Sequence, residues 1–194
     1  MRKPVPCVLL FALAVAGTGC ASPRSNFYTL NGTATPASTG ANYSVTVGPV
    51  SVPAAVDRPQ IVVRVAPNEV AVDQFHRWAS PLPDAIARVV AENLAATLGT
   101  PHVTVFPRPT GTGARYRVVI DVIRFESAPG EAATLDAVWA VRATKDGATR
   151  AGRTTLAEPL PDREFATLAA AHSRALGRLS GDVAEALRAL EGGR

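Results

Sequence analysis

The chain has 194 residues, enough for one domain with a sizeable hydrophobic core. Its formal net charge is +4, which falls to +2 without Arg2 and Lys3 at the amino terminus. The sequence contains no Lys/Arg cluster of the kind that binds nucleic acids or forms a polybasic membrane patch, so we expect no nucleic-acid partner.

Residues 1–19 have the pattern of a secretory signal peptide. Two cationic residues, an apolar run at 8–16 and small residues at 17–19 precede Cys20. A cysteine directly after the cleavage site resembles the bacterial lipobox, in which that thiol is acylated, although Gly17 stands where the motif usually has Leu. We therefore predict that Cys20 is the lipidation site, with ordinary secretion and a chance cysteine as the alternative.

Residues 20–42 are predicted to be the lipidated amino terminus. The absence of Asp after Cys20 favours sorting to the outer membrane in enterobacteria. Residues 27–30 are aromatic and β-prone and form a candidate first strand, whereas 31–42 are small and polar and are expected to be flexible. Six residues, 21–26, then form the free tether, which spans at most roughly 20 Å.

The domain itself is predicted to occupy residues 43–194. Alternating apolar residues predict strands, and apolar residues spaced by three and four predict helices. The expected strands are 43–50 (ending at a Gly-Pro break), 60–65, 70–72, 103–106, 116–125, 135–143 and 150–156, and the expected helices are 82–98 and 162–190. This order predicts a single α+β domain, in which two amphipathic helices cover a mostly antiparallel or mixed sheet.

Motifs of the common catalytic and metal sites are absent from the sequence. No Cys/His pair has zinc spacing, and no phosphate loop, HExxH or GxSxG occurs. His172 lies on the apolar stripe of the last predicted helix, where a core histidine is more frequent than a ligand. We therefore expect no metal, no cofactor and no enzymatic activity.

Two short segments combine charged and aromatic residues just before predicted elements. Asp57 and Arg58 precede a strand, and Arg77 and Trp78 precede the first long helix. Arg and Trp are enriched in interface hot spots, so we predict that these four residues contact a partner. The alternative is structural: Asp57 caps a turn, Arg58 stays solvated and Trp78 fills the core.

Several short motifs occur in a family-specific order. They are Cys20, FYTL at 27–30, VGPV at 47–50, VP with DRPQIV at 52–62, HRWA with PL at 76–82, NL at 93–94 and LG at 98–99. In this order the chain resembles the ABC-type transport auxiliary lipoprotein family, which includes the paraquat-inducible lipoprotein PqiC. The similarity is dense from Cys20 to about Gly99 and weaker beyond.

The resemblance implies a non-enzymatic periplasmic lipoprotein that works with an MCE-domain protein and an ABC permease–ATPase complex. Such systems move lipids or other hydrophobic molecules between the inner and outer membranes. Two alternatives stay open: an envelope assembly lipoprotein unrelated to transport, and a tethered hydrolase, which would have a pocket beside a titratable group of perturbed pKa. Whether the protein forms a homo-oligomer also stays open.

Overall fold

The computed structural model describes residues 24–37, 40–107 and 113–193. The predictions for residues 1–19 and for Cys20 lie outside these ranges. The strands are β1 (Asn26–Tyr28), β2 (Val45–Ser51), β3 (Gln60–Ala66), β4 (Glu69–Trp78), β5 (Val103–Val105), β6 (Tyr116–Ala128), β7 (Ala132–Ala143) and β8 (Thr149–Pro159), and the helices are α1 (Leu82–Leu98) and α2 (Phe165–Gly192).

The eight strands form one mixed sheet that divides at β6. One edge of β6 pairs with β7 in antiparallel fashion, and β7 pairs with β8. The other edge of β6 pairs in parallel first with β2, as far as Asp121, and then with β3 at Ser127. The sheet therefore continues as two branches, β2–β5 and β3–β4–β1.

Both helices pack on the same side of the sheet and against each other. The inward residues of β6 alternate as predicted, with Tyr116, Val118 and Ile120 almost fully buried. The predicted stripe of α2 is buried as well, from Leu168 to Leu187. The α+β single-domain prediction is confirmed. Within the described residues, neither helix combines the length and the apolar composition needed to cross a bilayer.

Apart from β4, the strands differ from their predicted bounds by at most three residues at either end, but β2 and β4 each contain an irregularity that was not predicted. The Gly-Pro pair was expected to end β2, but the strand continues through it as a bulge, with Gly48 at φ 117°. β4 was predicted only at 70–72 and instead reaches Trp78. Within it the Asp73 carboxylate accepts hydrogen bonds from the backbone N–H groups of Phe75 (2.9 Å) and His76 (2.8 Å), which stabilises a bulge that hides the strand alternation.

The segment after β1 was expected to be flexible, but its described part is held against the helices. The Asn93 side-chain oxygen on α1 accepts hydrogen bonds from the backbone N–H groups of Thr33 (2.7 Å) and Ala34 (2.9 Å). On α2, Ser173 accepts one from the N–H of Asn31 at 3.1 Å. The small polar composition of this segment therefore serves close packing over α1 and α2.

Candidate functional site

The point at which the sheet divides forms an open groove, here called the branch groove. It has a volume of about 180 Å³. Its walls come from the loop before β3, from β3 and β4, and from β6: Pro53, Ala55, Val56, Val62, Arg64, Val70 and residues 123–127. Because β2 and β3 diverge from the same edge of β6, no neighbouring strand covers the backbone between them.

The loop that borders the branch groove carries two of the predicted interface residues. Hydrogen bonds from the N–H groups of Val56 and Asp57 to the carbonyl of Pro53 (3.0 and 3.2 Å) fold the loop into a tight turn. Asp57 and Arg58 are exposed, and neither side chain has a hydrogen bond or ion pair with any described residue. A defined backbone thus displays two unpaired charges.

Arg77 lies beside this loop but on strand β4, not in a loop before α1 as predicted. Its Cα pairs with Gln60, and the N–H of the next residue, Trp78, donates to the carbonyl of Pro59 at 2.7 Å. The Arg77 guanidinium is half-buried and donates from Nε and Nη2 to the carbonyl of Gln74 at 3.3 and 3.2 Å. The fold therefore brings Asp57, Arg58 and Arg77 to one region.

Trp78 does not share this accessibility. It is only 5% exposed, and its ring packs edge-on against Phe125 and His172, with ring centroids 6.1 Å apart in both pairs. Its side chain belongs to the core, which supports the structural alternative for this residue. A partner that contacts the loop would touch Trp78 only indirectly.

Arg64 is a groove residue that the sequence analysis missed. It lies half-buried on β3 and forms an ion pair from Nε to Glu126 at 2.9 Å, with a second ion pair to Glu131. The sequence does contain a sign of this residue's role, because Arg64 interrupts the apolar run of residues 60–65. This network places charged groups in a groove whose other lining side chains are mostly apolar.

Behind the branch groove lies a buried Ser–His pair. The Ser127 hydroxyl is 2.9 Å from Nε2 of His172, and the His172 ring stacks on Phe125 with centroids 3.9 Å apart. Burial lowers the pKa of His172 from 6.5 to about 3. His172 is therefore neutral near pH 7, as expected for a core histidine, and Ser127 is a partner that spacing along the chain did not reveal.

This pair is the feature that bears on the hydrolase alternative, since Ser127 also lines the branch groove. A histidine with a pKa of about 3 is a weak general base near neutral pH. In addition, Nδ1 of His172 has no hydrogen-bond partner among the described residues, so no carboxylate orients the ring. The geometry favours a structural role for the pair.

Metal ligands do not converge in the part of the chain that the structure describes: no group of three or more His, Cys, Asp or Glu side chains is placed to hold an ion.

Comparison with known proteins gives both a family and a fold. The family model described as the ABC-type transport auxiliary lipoprotein component matches residues 28–184. No curated protein matches the sequence. A crystal structure of a DUF330-family protein from Xanthomonas campestris is 24% identical, with a TM-score of 0.71 and coverage of 87% of this chain and 99% of that chain.

Two other solved structures are more distant. An uncharacterized protein is 17% identical with a TM-score of 0.69, and 84% of this chain and 98% of that chain are covered. A PelC structure from Paraburkholderia phytofirmans is 14% identical with a TM-score of 0.43, and the coverage is 76% and 90%. For the Xanthomonas campestris structure and the uncharacterized protein, the likeness at 24% and 17% identity concerns the fold alone.

Proposed function

Because the chain belongs to the family of ABC-type transport auxiliary lipoprotein components, we propose that it is the non-enzymatic lipoprotein of an MCE/ABC system that moves lipids between the two membranes. The observation that carries this proposal is the family match over residues 28–184. In the proposal the acylated Cys20 anchors the domain in the outer membrane, and the domain docks an MCE-domain protein that reaches across the periplasm.

The docking surface in this proposal is the loop beside the branch groove. Recognition commonly uses loops on a rigid scaffold, and this loop displays Asp57 and Arg58 without intramolecular partners. Arg77 extends the same region along β4. Its side chain is partly engaged by the Gln74 carbonyl, so Arg58 is the cleaner probe of binding.

We expect Arg58→Ala to weaken capture of the MCE-domain partner by about tenfold or more, since an interface arginine commonly contributes roughly 1.5–2 kcal/mol. The melting temperature should not change, because the exposed Arg58 side chain holds no other element. The measurement is a pull-down titration beside a thermal melt, with Arg77→Ala as a second variant.

The matched control is Arg150→Ala, which removes an exposed arginine that has no side-chain partner among the described residues. Arg150 lies at the start of β8, in the arm of the sheet that leaves β6 at the edge opposite β3. If the wild type, Arg58→Ala and Arg150→Ala capture the MCE-domain partner equally well, the loop is not part of the interface. A lowered melting temperature for Arg77→Ala alone would assign that residue to the stability of the β4 bulge.

We expect Cys20→Ala to abolish stable membrane anchoring, because two or three acyl chains make attachment effectively permanent, whereas a contact of a few side chains with a membrane surface is weak and reversible. The variant should fold with an unchanged melting temperature and appear in the soluble periplasmic fraction. Fractionation with salt extraction makes the measurement. A variant that stays in salt-washed outer membranes contradicts the anchoring role of Cys20.

A third experiment separates transport from envelope assembly. If the proposal is correct, the lipidated protein purified under mild detergent carries an MCE-domain protein, and genes for that protein and for an ABC permease and ATPase adjoin its own. Isolation with envelope assembly factors alone, and no such neighbouring genes, would favour the assembly alternative.

A further inference from the structure

Two large aromatic side chains project into solvent at the edge of the sheet where the chain enters the domain. Phe27 on β1 is 64% exposed, and Phe75 on β4 is 42% exposed. β1 is the terminal strand of its branch and pairs with β4 only from His76 to Trp78. We call Phe27 and Phe75 the edge aromatics.

The strand pairing places Phe27 on the side of the sheet away from the helices. Tyr28 and His76 face α2, where their rings contact Phe165 at centroid distances of 6.0 and 3.9 Å. Successive side chains of a strand point to opposite faces, so Phe27 points away from α2. Phe75 lies in the β4 bulge, next to the residues of β4 that pair with β1, and its side chain is exposed there.

The position of the edge aromatics along the chain indicates what covers them. Residues 21–26 are all that separates Cys20 from Phe27, and six residues span at most roughly 20 Å. If Cys20 is acylated, as proposed above, this edge stays within roughly 20 Å of the bilayer surface. A second copy of the protein is a poorer occupant, because two phenylalanines bury roughly 300–500 Å², less than a specific protein interface needs.

We propose that the β1–β4 edge rests on the phospholipid surface, with Phe27 and Phe75 inserted among the lipid headgroups. Aromatic side chains beside cationic ones are typical of surfaces that lie in the membrane interface, and the exposed Arg24 lies three residues before Phe27. This contact would orient the domain. With β1 on the membrane, β5, which is at the other end of the strand order, lies away from the membrane.

The first test locates each side chain relative to the lipid. Full-length protein is reconstituted into phosphatidylethanolamine–phosphatidylglycerol vesicles that contain brominated lipid, which quenches indole fluorescence on contact. We expect Phe27→Trp to add a strongly quenched signal to that of the buried Trp78 and Trp139.

The control is Val138→Trp, at a site that is 41% exposed on β7, four strands from β1 along the sheet. Sheet twist turns that surface by roughly 80–100° relative to β1. Its added signal should be quenched little. Equal quenching at the two sites would overturn the proposal.

The second test removes the acyl chains, so that it does not depend on the proposed anchor. In the Cys20→Ala background, Phe27→Ser with Phe75→Ser should lower co-sedimentation with the same vesicles by about tenfold or more. Ile123→Ser with Val138→Ser, a pair of comparable exposure, should have no such effect. Equal loss in both pairs, or no loss, overturns the membrane contact.

Two further readouts separate this inference from its alternatives. The mass of the purified protein reports acylation of Cys20, and an unacylated wild type would refute the proposed anchor while the co-sedimentation test still decides the membrane contact. Gel filtration reports the oligomeric state. If the serine pair changes the oligomeric state but not vesicle binding, the edge aromatics contact a second copy and the membrane proposal is wrong.

Discussion

We expect the free energy of unfolding to fall by about 1.4 kcal/mol per pH unit between about pH 6 and the folded-state pKa of His172, because this residue binds a proton in the unfolded chain but not in the folded one. Burial lowers the pKa of His172 from 6.5 to about 3. Between these values the unfolded chain binds a proton at this site and the folded chain does not. Acid therefore favours unfolding through this range, and His172 has no such effect above about pH 7.

Urea titrations of the wild type and of His172→Gln at several pH values between 7.5 and 4 make the measurement. Carboxylates also titrate in acid, so the informative quantity is the difference between the two curves. Gln replaces the ring with an uncharged amide that can still bond Ser127 but does not titrate. His102→Gln is the control for a histidine replacement outside the core, since His102 is exposed. Parallel curves for the wild type and His172→Gln would contradict the prediction.

Gly152→Ala should destabilise the domain by about 2–3 kcal/mol through overpacking. Gly152 on β8 lies opposite Trp139 on β7, and a Cβ there would lie 2.4 Å from the indole ring. The ring cannot shift freely, because it is buried and its Nε1 donates to the Thr154 hydroxyl at 3.0 Å. Relieving the clash therefore breaks this hydrogen bond or separates the two strands.

The measurement is the free energy of unfolding by denaturant, with two comparisons. Gly181→Ala is the matched control: a Cβ at Gly181 on α2 meets no atom within 4 Å, so it should be neutral or stabilise the helix by about 0.5–1 kcal/mol. Trp139→Leu should partly suppress the effect of Gly152→Ala in the double variant. Additive losses would show that the Trp139 ring is not the cause.

The sequence was informative wherever local chemistry decides the structure. Helix α1 was predicted with its observed bounds, because Pro at its start and Gly99 at its end act within a few residues. The alternation of β6 and the stripe of α2 predicted which faces are buried, since each element buries one face whatever its partner. The α+β class followed from the order of these elements.

The predicted bounds of β4 were wrong because a side chain takes the place of the neighbouring strand in binding part of its backbone. The carboxylate of Asp73 binds the backbone of β4 and creates the bulge, so the apolar alternation of that strand is lost. This error placed Arg77 and Trp78 in a loop instead of on a strand. Sequence spacing alone could not show that a strand passes through such a bulge.

Some features of the candidate site could likewise be predicted from the sequence, and others could not. Exposure of Asp57 and Arg58 followed from their position beside proline in a turn. The structure adds that their side chains have no partner in the part of the chain that it describes. The branch groove and the Ser127–His172 pair were decided only by tertiary structure. Strand β6 pairs first with β2 and then with β3. Ser127 and His172, which are 45 positions apart in the sequence, come into contact where the pairing partner changes. Such contacts join distant residues through packing that leaves no periodic pattern in the chain.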